Sequence, residues 1–121
     1  MQPVEIKIHP HGEGGIAEIS ASNIVISNSQ DALDLMMNCY YNGQSALIIH
    51  DVNIVPDFFD LKTGIAGDIL QKFSNYNMRL AIVGDFSKYP GNSLKDFIKE
   101  SNKVGRISFV RTLDEALERL K

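Results

Sequence analysis

Residues 57–73 read DFFDLKTGIAGDILQKF, and this stretch decides the fold. An acidic turn that carries a glycine runs here into an amphipathic pattern, shortly after the apolar segment 46–49. The apolar side chains recur every fourth position, at Leu61, Ile65, Ile69 and Phe73. A helix with such a stripe after a buried strand is typical of a right-handed β-α-β crossover, so the strands on either side of it are predicted to be parallel.

The remaining elements follow from alternation and from residues that begin or end helices. Val4, Ile6 and Ile8 alternate with polar neighbours and precede a glycine cluster at 12–15, as in a β-hairpin. Segments 46–49 and 80–83 are apolar throughout, which favours central strands. Three pairs of residues predict helix starts: Ser29 with Asp31, Ser93 with Asp96, and Thr112 with Glu115. Asn102 is predicted either to cap the carboxyl end of the third helix or to lie at the sheet edge where the central strands end.

These elements predict an α/β fold with the order β-β-α-β-α-β-α-β-α. We expect a compact sandwich with a mixed sheet of about five strands and with helices mainly on one face. A chain of 121 residues is within the usual size of one domain, so residues 1–121 are expected to form a single domain.

Composition narrows the classes of partner and the compartment. The net charge is −3, from 15 acidic and 12 basic residues. The sequence has no cluster of Lys and Arg, so nucleic acid is not expected as a partner. Cys39 is the only cysteine, so it cannot form an internal disulfide and is expected to be buried in a helix. No apolar run approaches the ~20 residues that a membrane span needs, and no signal-like start is visible. A cytoplasmic protein is therefore expected, without a membrane partner.

Three motifs carry a family resemblance: FFDLKTGIAGDILQKFSNY at 58–76, LAIVGDFS at 80–87 and SLKDFIKESN at 93–102. In these motifs the chain resembles the bacterial domain of unknown function 4180. The QDALDLM stretch at 30–36 and the terminal EALERL fit the same family, so the likeness covers nearly the whole chain. The family has no established activity, and the resemblance therefore implies no reaction.

The order of elements and the strand-loop-helix around Gly64 are similar, more distantly, to the STAS domain of sulfate transporter tails and anti-sigma factor antagonists. That likeness implies a STAS-like fold and a docking surface. The antagonists carry a phosphorylated serine two residues before the corresponding glycine, and Lys62 stands at that position here. The resemblance therefore does not carry over the phosphorylation switch, although the neighbouring Thr63 could accept a phosphate.

Polar residues, Asp51 among them, lie near the carboxyl ends of the two central strands. Those ends share one edge of a parallel sheet, so these side chains could converge on a small crevice. The predicted ligand- or partner-binding residues are Phe58, Asp60, Lys62, Thr63, Gly64, Asp85, Phe86 and Ser87. Lys62 and free amides at Thr63 and Gly64 could bind an anion. The structural alternative is that Asp60 caps the following helix and that Asp85 and Ser87 close a turn.

Phe58 and Phe59 cannot both face one core in a regular backbone. One of them is therefore expected at the surface as a contact residue, unless a loop covers it or the irregular approach to the helix buries both.

Motifs for metal, cofactor or covalent chemistry are absent from the sequence. His9 and His11 would lie on one side if the first strand continued through Pro10, and His50 ends the third strand, but further ligands are missing. Neither a phosphate loop nor GxGxxG or GxSxG occurs. We therefore predict no metal, no cofactor and no catalytic residue.

The leading hypothesis is a non-enzymatic regulatory or protein-interaction module. The alternative is binding or turnover of a small anionic ligand at the carboxyl edge, with Asp85 as the candidate base. An exposed aromatic patch around Phe58 would favour the first hypothesis, and an enclosed polar pocket would favour the second. The first strand is expected at a sheet edge, which is compatible with a monomer or a homodimer.

Overall fold

The computed structural model describes residues 4–121. The strands in this range are β1 (Glu5–His9), β2 (Ile16–Ser20), β3 (Ala46–His50), β4 (Arg79–Val83) and β5 (Ile107–Val110). The α-helices are α1 (Ser29–Tyr41), α2 (Ile65–Asn75), α3 (Asn92–Val104) and α4 (Leu113–Leu120). Short 3₁₀ helices occupy the loops after β3 and β4, at Asp51–Asn53, Pro56–Phe59, Leu61–Thr63 and Phe86–Lys88.

The five strands form one sheet in the order β1-β2-β3-β4-β5. β1 and β2 are an antiparallel hairpin, whereas β2 to β5 run parallel to one another. Each crossover through α1, α2 or α3 adds the next strand on the same side of the previous one, so the chain winds across the sheet in one direction. The predicted mixed five-stranded sheet and the predicted order of elements are confirmed.

Helices cover the two faces of the sheet unequally, because successive side chains of a strand point to opposite faces. Leu47 and Ile49 of β3 pack in the large core under α1, α2 and α3. Ala46 and Ile48 pack in a smaller core on the other face, against Ala116 and other residues of α4. The predicted placement of helices mainly on one face is confirmed, as is the burial of β3 on both faces.

The helix starts agree with the sequence predictions in two of three cases. The Thr112 hydroxyl accepts a hydrogen bond from the Glu115 amide at 3.1 Å, so that cap is confirmed. Asn28 rather than Ser29 caps α1, with its side chain accepting from the Asp31 amide. The Ser93–Asp96 capping box is wrong, because α3 begins at Asn92 and Ser93 already lies in its first turn.

Cys39 is fully buried on the inner side of α1, as predicted. Burial raises the pKa of its thiol to about 11, so the thiol stays protonated at neutral pH. Among residues 4–121, no helix has the length and apolar character required to cross a membrane.

Candidate functional site

A groove of about 760 Å³ lies between the loop that follows β3 and the loop that follows β4. Phe59, Leu61, Tyr89 and Leu94 give it apolar walls, and Asp60 and Lys62 add charge. Both loops leave the carboxyl ends of adjacent parallel strands, so the groove is at the predicted edge. The strand order never reverses, which means that loop conformation rather than a topological switch point creates the groove.

An aromatic cluster supports the apolar wall of the groove to which Phe59 and Tyr89 belong. The rings of Phe59 and Tyr89 are stacked, with centroids 4.1 Å apart and planes 13° from parallel. The ring centroid of Phe86 lies 6.0 Å from that of Phe59, and the ring centroid of Phe58 lies 4.9 Å from it. These contacts hold the wall of the groove in one arrangement.

Phe58 is not an exposed contact residue, because only 1% of its surface is accessible. Phe59 is also buried. The 3₁₀ helix Pro56–Phe59 turns each residue by about a third of a circle instead of alternating sides, so both rings can enter the same core. The alternative in which an irregular backbone buries both rings is the one observed.

Asp60 and Lys62 have different roles in the groove. The Asp60 carboxylate accepts a hydrogen bond from the Lys62 amide at 3.2 Å and caps the 3₁₀ helix Leu61–Thr63. Asp60 is therefore a cap, as considered, but of this separate turn: the predicted helix α2 begins only at Ile65, and Gly64 precedes it. Within the described part of the chain, the Lys62 side chain makes no ion pair, and its ammonium group is left as the available positive charge in the groove.

Thr63 and Gly64 do not offer the free amides that were predicted. The Thr63 amide donates to the Asp60 carbonyl at 3.0 Å, and the Gly64 amide donates to the Leu61 carbonyl at 3.2 Å. The Thr63 hydroxyl donates to the carbonyls of Asp57 and Asp60. The tight 3₁₀ turn uses these donors internally, so an anion would find none of them available.

Asp85 and Ser87 form a local turn instead of a wall of the groove. The Asp85 carboxylate accepts from the Ser87 amide at 3.1 Å and from the Ser87 hydroxyl at 2.6 Å. These bonds, together with Arg111 at 3.5 Å, hold the pKa of Asp85 below its usual value. Phe86 is half-buried beside Phe109, with ring centroids 5.3 Å apart. The carboxylate proposed as a base is thus exposed and well stabilised in its charged form.

Asp51 is an important residue of this edge: it was expected there as a polar residue but was not among the predicted ligand- or partner-binding residues. Its buried carboxylate contacts the Lys88 ammonium at 2.7 Å and accepts a long hydrogen bond from the Tyr89 hydroxyl at 3.5 Å. Gly84 makes room for it, because a β-carbon there would lie 2.5 Å from the Asp51 carboxyl carbon. The sequence signal was a carboxylate placed directly after β3, but its partners are more than thirty positions away and could not be paired from the sequence.

A second polar cluster lies on the face of the sheet that α4 partly covers. Nε2 of His9 is 2.8 Å from one oxygen of the Glu18 carboxylate, and Nε2 of His50 is 3.4 Å from the other. Burial of Glu18 acts to raise its pKa, but the hydrogen bonds from the two imidazoles outweigh burial and lower it. His11 lies beyond the end of β1, so the predicted alignment of His9 with His11 does not occur. Within residues 4–121, no group of three or more His, Cys, Asp or Glu is arranged to hold a metal ion.

Comparison with known proteins identifies the family. The model of the domain of unknown function DUF4180 matches residues 11–120, nearly the whole chain. No curated protein and no solved structure matches, so the likeness to the STAS domain is not confirmed and stays a prediction. The chain therefore belongs to the DUF4180 family.

Proposed function

We propose that this domain is a non-enzymatic binding module that holds a small anion with an apolar body in the groove between the loops after β3 and β4. The observation that carries the proposal is a groove of about 760 Å³ in which Lys62 lies beside apolar walls. Small-molecule sites typically enclose about 300–1,000 Å³ and combine apolar walls with few polar groups.

The walls favour a flat apolar body. Tyr89 is held by its stack on Phe59, by the Asp51 carboxylate and by the Lys88 ammonium 5.3 Å from its ring centroid. Because these contacts restrain Tyr89 before a ligand arrives, less conformational entropy is lost on binding. A planar ring or chain would gain most from such a wall.

Of the two charged side chains that line the groove, Lys62 is the one that could pair with an anion. One carboxylate oxygen of Asp60 accepts a hydrogen bond from the Lys62 amide. The Lys62 ammonium, in contrast, has no ionic partner within residues 4–121. A carboxylate or sulfonate on the ligand could supply that partner.

Turnover has less support than binding. Asp85 is not among the residues that line the groove, and its lowered pKa makes it a weak base. Asp51 is engaged with Lys88. Neither Asp85 nor Asp51 lines the groove, and Asp60, which does, caps the 3₁₀ helix through the Lys62 amide. We therefore propose binding alone.

The test uses two fluorescent probes of similar shape: 1-anilinonaphthalene-8-sulfonate, which is an anion, and N-phenyl-1-naphthylamine, which is neutral. We expect both to bind, and Lys62→Gln to weaken the anionic probe by roughly threefold to tenfold while leaving the neutral probe unchanged. Lys99→Gln, an exposed lysine of α3 outside the groove, is the matched control. Tyr89→Ala should weaken both probes.

Amide chemical shifts locate the bound probe. Probe-induced shifts confined to the loops after β3 and β4 would support the proposal. Equal binding of the anionic probe to wild type and Lys62→Gln, or shifts at another surface, would contradict it.

A regulatory protein-interaction role at the same edge is the second candidate. It draws support from Val52, which is 64% exposed after β3, and from the exposed Asp85 and Ser87 nearby after β4. Affinity capture from native cytosol would compare wild type with a Lys62→Glu, Asp85→Ala double variant. This role requires a partner that binds the purified wild type directly and loses that binding in the variant.

A further inference from the structure

β1 is the open edge of the sheet. Within residues 4–121 it pairs with β2 alone, so one side of its backbone has no strand partner. Three apolar side chains accompany this edge: Val4, Ile6 and Ile8 are 40%, 41% and 45% exposed. An edge strand with unpaired backbone groups and exposed apolar side chains is a template for another strand.

The two faces of β1 differ in chemistry. Ile6 lies opposite Ile19 and Ile8 opposite Ala17, so both isoleucines are on the face that α1 covers. Glu5 and Lys7 lie on the opposite face, where both are exposed. A strand that added to this edge would have to match an apolar face and a face with alternating charge.

We infer that β1 binds β1 of a second copy of this chain, antiparallel about a two-fold axis at Ile6. Antiparallel strands about that axis place Glu5 opposite Lys7 of the second copy, and Lys7 opposite its Glu5. On the other face Ile6 meets Ile6, and Val4 meets Ile8. Charge and hydrophobicity are both complementary in this one register.

Neighbouring registers lack this complementarity. An axis at Lys7 brings the two lysines face to face, and an axis at Glu5 does the same for the two glutamates. A slip by one residue sets the apolar side chains of one copy against the charged side chains of the other. The sequence EIKI of β1 therefore selects the register centred on Ile6.

The pairing is independent of the proposed ligand groove. No residue of β1 lines that groove, which is built by the loops after β3 and β4. Strand pairing of this length buries less surface than a standard stable interface of about 1,600 Å². The dimer is therefore expected to dissociate on dilution, and loss of probe binding would leave the dimer unaffected.

Sedimentation velocity of the full chain over a wide range of concentrations tests the pairing. Wild type should shift from monomer to dimer as concentration rises. Lys7→Glu and Glu5→Lys each replace two attractive cross-strand pairs by two repulsive ones, and each should weaken dimerisation by roughly tenfold or more. Lys99→Gln should dimerise as wild type does.

Two experiments that should restore dimerisation distinguish the proposed register from a general effect of charge. The double variant Glu5→Lys, Lys7→Glu exchanges the charges and should dimerise like wild type. An equal mixture of the two single variants should form heterodimers, because both opposing pairs are then again attractive. Circular dichroism checks that each variant is folded. A wild type that stays monomeric at millimolar concentration, or single variants that do not recover on mixing, would overturn the inference.

Discussion

The two edge strands of the sheet, β1 and β5, differ in how far their outer sides are covered. Within residues 4–121 the outer side of β1 has no strand partner and four of its five residues are exposed, whereas β5 is buried along its whole length. The amides of Leu80 in β4 and of Gly84 just after β4 donate to the carbonyls of Arg106 and Val110. Because successive carbonyls of a strand point to opposite sides, those of Ile107 and Phe109 point away from β4. Side chains of α3 satisfy these outward groups, and the edge is closed without another strand.

Asn102 acts at β5 as a neighbouring strand would. Its side-chain oxygen accepts from the Phe109 amide at 2.7 Å, and its side-chain nitrogen donates to the Phe109 carbonyl at 3.1 Å. The Ser101 hydroxyl donates to the Ile107 carbonyl. One edge of this mixed sheet is therefore protected against strand addition by polar side chains, while the β1 edge stays available for self-pairing.

The largest effect is expected from breaking the closed edge with Asn102→Ala. This change leaves the Phe109 amide and carbonyl without their partners, and it should lower the free energy of unfolding by about 2 kcal/mol, after a few tenths are recovered from the better helix propensity of alanine. Urea denaturation measures the loss. Lys99→Ala, exposed on the same helix, is the control and should change little. Equal stability of Asn102→Ala and wild type would mean that the edge is closed by something else.

Ser101→Ala should cost about 1 kcal/mol, because it removes one hydrogen bond to a buried edge and leaves the Ile107 carbonyl unpaired. The same denaturation experiment applies. Ser93→Ala, an exposed serine in the first turn of α3, is the comparison. If both serine variants lost the same amount, the effect would reflect helix context rather than the edge.

A pH experiment probes the Glu18 cluster beside the open edge. A carboxyl group whose folded pKa is lowered stabilises the fold above its unfolded pKa of about 4.5, and this contribution is lost as pH falls through the folded value. Between pH 6 and 3, the free energy of unfolding should therefore fall further in wild type than in Glu18→Gln. Parallel curves for the two proteins would show that the imidazoles do not stabilise the charged form.

The smallest effect is expected at β1 itself. Ile6→Val should change the free energy of unfolding by less than about 0.5 kcal/mol at low micromolar concentration, because Ile6 is 41% exposed in the monomer. Its cross-strand partner Ile19 is fully buried, so Ile19→Val should cost about 1 kcal/mol. Equal costs at the two positions would contradict the open state of β1.

Parts of the site were predictable where they depended on local chain geometry. Asp60 as a cap and Asp85 with Ser87 as a turn involve residues two positions apart. Asn102 was predicted as a C-cap or edge residue, but α3 continues to Val104 and ends at Gly105, which has a φ of 87°. Its actual partner, Phe109, lies on the next strand, and a bond across that separation depends on how α3 packs.

The sequence by itself determined the order of the elements, the mixed sheet and the burial of β3 and β4, because hydrophobic periodicity reports how each segment meets a core. Only the tertiary structure decided that Phe58 is buried, that Asp51 pairs with Lys88, and that β5 is closed while β1 is open. These features join residues far apart in the chain. Periodicity constrains which face of a segment is buried, but it does not specify which distant side chain lies against that face.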